Sequence, residues 1–199
     1  MHDEDRKQFA IALHEAGHAA LLPPGGWTHT SLLPVSICPA CLSEGESADL
    51  MDTLGQSSGH TLFGPPGLGG MQNFLYTLAG GAAEVACGKE PELTQFDGIG
   101  EYPTGMSADF EVLRTDLEHY QSGTLRDYSV ELRKWFEIAV EHLRPHTEKM
   151  CAIAEALVEK RVIKSCEVDF SFIDYAKILE IVSRDDSSES EGNPSPSQL

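Results

Sequence analysis

The residue types and spacing best suited to chemistry lie near the start of the chain, in His14-Glu15-Ala16-Gly17-His18. On an α-helix, side chains four residues apart project from one face. Two imidazoles at this spacing can therefore take adjacent corners of a tetrahedral zinc ion. Glu15, beside the first imidazole, can reach a water at the metal rather than the metal itself. It would draw a proton from that water as the water attacks a carbonyl, then pass the proton to the leaving amine. The surrounding residues Phe9 to Leu13, Ala16 and Ala19 to Leu22 make the helix apolar almost all round. Burying His, Glu and His there without partners costs several kcal/mol, and a metal with its water removes that cost. The opposing reading is two core histidines bonded to carbonyls, with Glu15 on the surface.

The spacing is that of His-Glu-x-x-His metalloproteases. A catalytic site of this type needs a third protein ligand and keeps its fourth position for water. Two carboxylates qualify. Glu84 is the lone charge in the apolar, small-residue segment Met71 to Cys87, where an ionised group needs a partner. Asp109 opens a helix after a loop. Spacing does not choose between them.

The elements that must position these groups are mostly helices. Arg6 to Leu22 reads as a helix with acids at its start and Pro23-Pro24 at its end. Trp27 to Ile37 reads as a strand, Cys38 to Gln56 as irregular chain, and Gly59 to Phe63 as a short strand ended by Gly64-Pro65-Pro66-Gly67. Met71 to Cys87 is a second helix, and Ala79-Gly80-Gly81-Ala82-Ala83 at its centre implies close approach to another backbone. Lys89 to Thr104 reads as a long acidic loop, with Ser107 capping a third helix from Ala108. Leu132, Trp135, Phe136, Ala139, Val140 and Leu143 form the apolar stripe of a fourth helix. After Pro145 a fifth helix, His146 to Lys160, repeats the pattern, and Phe172 to Val182 is a candidate sixth. The chain therefore divides into a domain over 1–182 and a disordered, acidic, Ser- and Pro-rich tail over 183–199.

Composition narrows the partners. With 14 Lys and Arg against 32 Asp and Glu, the net charge of −18 repels phosphate backbones and anionic lipid. Neither nucleic acid nor a membrane is an expected partner, and no apolar run is long enough to span a bilayer. The acidic N-terminus does not read as a secretory signal, and five scattered cysteines suit reduced thiols, so a cytoplasmic location is expected. Cys38-Pro39-Ala40-Cys41 lacks the second close pair that a structural zinc wants and reads as two loop thiols. Cys87 and Cys151 read as packing. His29 and His60 read as solvated, and His119, His142 and His146 as helix-surface residues.

Three segments in order resemble the FtsH-type zinc peptidase domain: Leu13-His14-Glu15-Ala16-Gly17-His18-Ala19, Leu78-Ala79-Gly80-Gly81-Ala82-Ala83-Glu84 and Thr104-Gly105-Met106-Ser107-Ala108-Asp109. The helix ending Ala154-Glu155-Ala156-Leu157-Val158-Glu159-Lys160 is also similar to the last helices of that family. The resemblance implies that Asp109 is the third zinc ligand beside His14 and His18. It also implies that Glu84 supports a ligand histidine, fixing its tautomer and raising its basicity. The implied fold is a mostly α, zincin-like helical metallopeptidase domain with a small β element beside the active site. The implied function is a zinc-dependent metalloendopeptidase with Glu15 as general base.

The chain departs from the family at Gly81, where the family carries an arginine, and across Cys38 to Gly70. It contains no Gly-x-x-x-x-Gly-Lys-Ser/Thr loop. The expected substrate is therefore a peptide or an unfolded polypeptide, with any ATP-driven unfolding supplied by a separate ATPase partner. The competing expectations are a non-catalytic binding or regulatory module of the same fold, and a hydrolase acting on some other amide.

Overall fold

The structure, a computed structural model, describes residues 3–21, 34–36, 60–61, 71–87, 91–96, 98–120, 124–160, 162–164, 171–174, 176–178 and 180–181. The α-helices among them are α1 (Asp3–Ala20), α2 (Met71–Ala86), α3 (Ser107–Tyr120), α4 (Ser129–Leu143) and α5 (Thr147–Lys160). Strands β1 (Pro34–Ser36), β2 (His60–Thr61) and β5 (Val162–Lys164) form an antiparallel sheet in the order β2-β1-β5. Val35 lies opposite Thr61 on one side and Ile163 on the other. Strands β3 (Leu93–Phe96) and β4 (Gly100–Pro103) pair as a separate antiparallel hairpin. The fold is mostly helical with a small β component, and β1 and β2 pack against α1. No helix among the described residues is long and apolar enough to cross a membrane.

The core is built around α1 and α2. Leu13 and Leu21 from α1 and its end, with Leu75 and Leu78 from α2, are buried, and each such side chain contributes about 1.5–3 kcal/mol. Small residues set the spacing of this pair. A Cβ added at Gly17 would lie 2.3 Å from the Ala79 carbonyl oxygen and 2.7 Å from the Ala83 Cβ. The backbones thus meet where only glycine fits, and that contact holds the histidine helix at a fixed depth over α2. Helix α4 lies along α2 and α5 along α1. The stripe of α4 expected from its periodicity, Leu132, Trp135, Phe136, Ala139, Val140 and Leu143, is buried throughout. Met150, Ala154 and Leu157 of α5 are buried too, with Ile153 packed against the core.

Several boundaries differ from the sequence reading. Helix α1 begins at Asp3 rather than Arg6. The segment Lys89 to Thr104 is not simply a loop, because it contains the β3–β4 hairpin. Gly98 (φ +85°) and Gly100 (φ +103°) supply the left-handed backbone its turn requires. Ser107 does not cap α3 from outside. It is the first residue of the helix, preceded by a 3₁₀ turn over Thr104–Met106, and its hydroxyl donates to the Thr104 carbonyl at 2.9 Å.

Of the proposed helix Phe172 to Val182, residues 176–178 and 180–181 are helical. The expected strand over Trp27 to Ile37 is seen at Pro34–Ser36. The rest of that stretch, Cys38, Cys41, the Gly64 run and the tail 183–199 lie outside the described residues. Cys87 and Cys151 are half-buried. His142 and His146 are half-buried as well, and His146 packs on the Phe172 ring at 5.0 Å.

Candidate metal centre

Aromatic packing carries Asp109 to the histidines. Phe110, next in sequence, is buried between Phe96 and Tyr102, with ring centroids 4.6 and 5.0 Å away. Tyr102 also packs on Phe136 of α4 at 5.2 Å, and the Arg133 guanidinium sits 4.2 Å over its ring. The 3₁₀ turn is tied to the start of the hairpin, since the Thr104 N–H and hydroxyl both donate to the Glu92 carbonyl, at 2.8 and 2.9 Å. Hairpin, turn and α4 together fix the first turn of α3.

There the three groups named from the sequence converge. His14 Nε2 lies 3.0 Å from His18 Nε2 and 3.1 Å from Asp109 Oδ2, and His18 Nε2 lies 3.3 Å from Asp109 Oδ1. Zinc ligands at about 2.0–2.2 Å from a common ion stand roughly 3.3–3.6 Å apart when tetrahedral, so these atoms lie at or a few tenths of an ångström inside the separations such an ion sets. Among the described residues, His14, His18 and Asp109 are the His, Cys, Asp and Glu side chains that cluster in this way. Both histidines and Glu15 are at least 92% buried: their exposures are 8% for His14, 5% for His18 and 5% for Glu15. The reading of Glu15 as a surface residue is therefore incorrect.

The far side of each ring explains why the near sides meet. His14 Nδ1 is 2.8 Å from Glu84 Oε1, and His18 Nδ1 is 3.0 Å from the Tyr76 carbonyl oxygen. A carbonyl oxygen only accepts, and a carboxylate accepts when ionised, so each Nδ1 is the donor. In the neutral rings both Nε2 atoms then present bare lone pairs to each other and to the Asp109 carboxylate. Asp109 Oδ2 is itself buried with no hydrogen-bond partner of good geometry, despite its 3.1 Å approach to His14. Four acceptors facing one point require a positive charge between them, either a proton or a metal cation.

Glu84 and Asp109, which spacing alone left as alternatives, are thus separated by geometry. Asp109 meets the Nε2 atoms, and Glu84 holds the opposite side of His14.

Electrostatics show the same demand for positive charge. Burial by itself would lower the His14 pKa, but the Asp109 carboxylate, reinforced by Glu84 and Glu15, raises it well above the usual histidine value. Burial would raise the Asp109 pKa, but His18 and His14 together hold it well below the usual carboxylate range. Tyr76 lies with its ring stacked on His18 at 5.0 Å. Burial, together with Glu15 and Asp109, pushes its phenol up. Tyr76 was not singled out as a site residue from the sequence. Nothing in a pattern announces a ligand held by a backbone carbonyl.

These shifts set the centre's contribution to the pH response of the metal-free chain. A raised His14 contributes stability that is complete below its unfolded value of about 6.5 and is lost as pH rises through the higher folded value. A lowered Asp109 contributes stability that is complete above about 3.8 and is lost as pH falls through the lower folded value. Both contributions are whole between these limits. Chelator-treated protein should therefore melt at a higher temperature at pH 5.5 than at pH 8.5, and Asp109→Asn should flatten that slope. Added zinc needs deprotonated imidazoles and should raise the melting temperature more at pH 8.5 than at pH 5.5. A metal-free melting temperature that climbs from pH 5.5 to 8.5 would contradict the assignment.

Comparison of the chain with protein-family models, with curated proteins and with solved structures returned no match, so the chemistry assigned to it rests on the site itself.

Proposed function

We propose that the chain is a zinc-dependent metalloendopeptidase of zincin-like design, with His14, His18 and Asp109 as ligands and Glu15 as general base. The observation that carries this reading is the convergence of two anchored imidazoles and a buried carboxylate with no hydrogen-bond donor between them in the neutral state. Two nitrogens and one oxygen favour a borderline cation such as Zn²⁺ over Mg²⁺ or Ca²⁺, which prefer oxygen cages. Held by His14, His18 and Asp109, zinc would supply Lewis acidity and would lower the pKa of a water it polarises.

The remaining work belongs to the chain's own residues. Glu84 and the Tyr76 carbonyl hold the two rings in the tautomer that offers Nε2. Glu15, buried on α1 beside His14, takes a proton from the attacking water and returns it to the leaving nitrogen. A buried carboxylate at this position favours catalysis over a purely binding role, which has no use for a base.

An extended backbone is the natural substrate, because the scissile carbonyl must reach a buried centre. Folded proteins hide their backbone groups, and exposing them globally costs about 5–15 kcal/mol. The zinc-loaded protein should therefore cut an unstructured polypeptide, leave a stable folded domain intact, and lose cleavage on chelation with recovery on added zinc. Cleavage unaffected by chelation would overturn the metallopeptidase reading, and cleavage of the folded domain by this chain alone would overturn the substrate assignment.

A further inference from the structure

Glycine is the poorest helix former after proline, so Gly80-Gly81 in the middle of α2 weakens the helix unless the missing side chains leave space that is used. The two glycines leave different spaces. A Cβ at Gly81 would lie 2.2 Å from Met106 Sδ and 2.5 Å from its Cγ, so that position makes room for a flexible side chain. A Cβ at Gly80 would lie 2.5 Å from His14 Nε2, 2.6 Å from His14 Cε1 and 2.6 Å from His18 Nε2.

Both Nε2 atoms are the ones turned towards Asp109, and zinc bonded to imidazole stands about 2.0–2.1 Å from nitrogen. A methyl group at position 80 would therefore press into the space between the ligand atoms. The rings have little freedom to yield. His14 is held at Nδ1 by Glu84, while His18 is held at Nδ1 by the Tyr76 carbonyl and stacked on the Tyr76 ring. The contact at Gly80 is between α2 and side chains of α1, and it differs in kind from the one at Gly17. The close backbone contact between α1 and α2 is made at Gly17, whereas the nearest atoms to a Cβ at Gly80 belong to the two histidines.

Resting on the zinc reading above, we infer that Gly80 is a positioning residue that keeps the cation's place clear on the α2 side. Its lack of a side chain is as necessary for metal uptake as the ligands themselves.

The test is zinc affinity, measured by competition with a chelating indicator on metal-free wild type, Gly80→Ala and Gly81→Ala, with circular dichroism of each. Gly81→Ala is the matched control, since it adds the same methyl to the same helix against Met106. The expected result is folded protein in all three, zinc binding by Gly81→Ala close to wild type, and a loss in Gly80→Ala. That loss should exceed the roughly 10–100-fold typical of removing a hydrogen bond that supports a ligand.

Wild-type affinity in Gly80→Ala overturns this inference and leaves the zinc reading standing, as does an equal loss in Gly81→Ala. No zinc on the wild type overturns both. If Gly80→Ala fails to fold, combining it with His14→Ala and His18→Ala should restore folding, because truncating the rings opens the space. Failure of the triple variant to fold would show that the methyl clashes elsewhere and would overturn the inference.

Discussion

Peptide cleavage by Glu15→Gln should fall about 10²–10⁴-fold, with zinc content and melting temperature unchanged. The substitution keeps the shape of a side chain that is 5% exposed and so leaves the packing of α1 intact. It removes the one property assigned to Glu15, the capacity to accept a proton from water. Zinc is retained because Glu15 lies outside the His14, His18 and Asp109 cluster. Its charge helps to raise His14 and to push up the Tyr76 phenol. Undiminished cleavage by the variant would assign the base elsewhere. Loss of zinc together with activity would make Glu15 a structural residue of the site.

Asp109→Ala should lose zinc almost completely, while Glu84→Gln should weaken it by about 10–100-fold. The difference follows from which side of the rings each carboxylate meets. Asp109 faces both Nε2 atoms, and without it two imidazoles alone must hold the ion. Glu84 faces His14 Nδ1 at 2.8 Å, and a glutamine there can still accept that hydrogen through its amide oxygen, though without the charge. Full zinc occupancy in Asp109→Ala would remove it from the ligand set. Loss confined to Glu84→Gln would transfer the ligand role to Glu84.

Much of this site was legible because its pieces are local. The four-residue spacing of His14 and His18 fixes their shared face on any helix, and the stripe of α4 follows from its period. What spacing alone left open was long-range, and only the resemblance of the three segments assigned it. Glu84 is 70 residues from His14, and nothing in the spacing says which carboxylate reaches Nε2 and which Nδ1; the packing of Phe110 among Phe96 and Tyr102 decides it. The Ala79-Gly80-Gly81 run does signal close approach, but not that Gly80 opens towards ligand nitrogens while Gly81 opens towards a methionine.

The β3–β4 hairpin was hidden by its acidic composition and weak alternation, although Asp97-Gly98 is a turn pair that could have revealed it. The anchoring of His18 on the Tyr76 carbonyl has no side-chain signature at all.

The most direct measurement is anomalous diffraction at the zinc edge from crystals of the zinc-loaded protein. One peak per chain is expected at this centre, within bonding distance of His14 Nε2, His18 Nε2 and an Asp109 carboxylate oxygen, about 2.0–2.2 Å from each. The absence of a peak there, or a peak held by Cys38 and Cys41 instead, would contradict it.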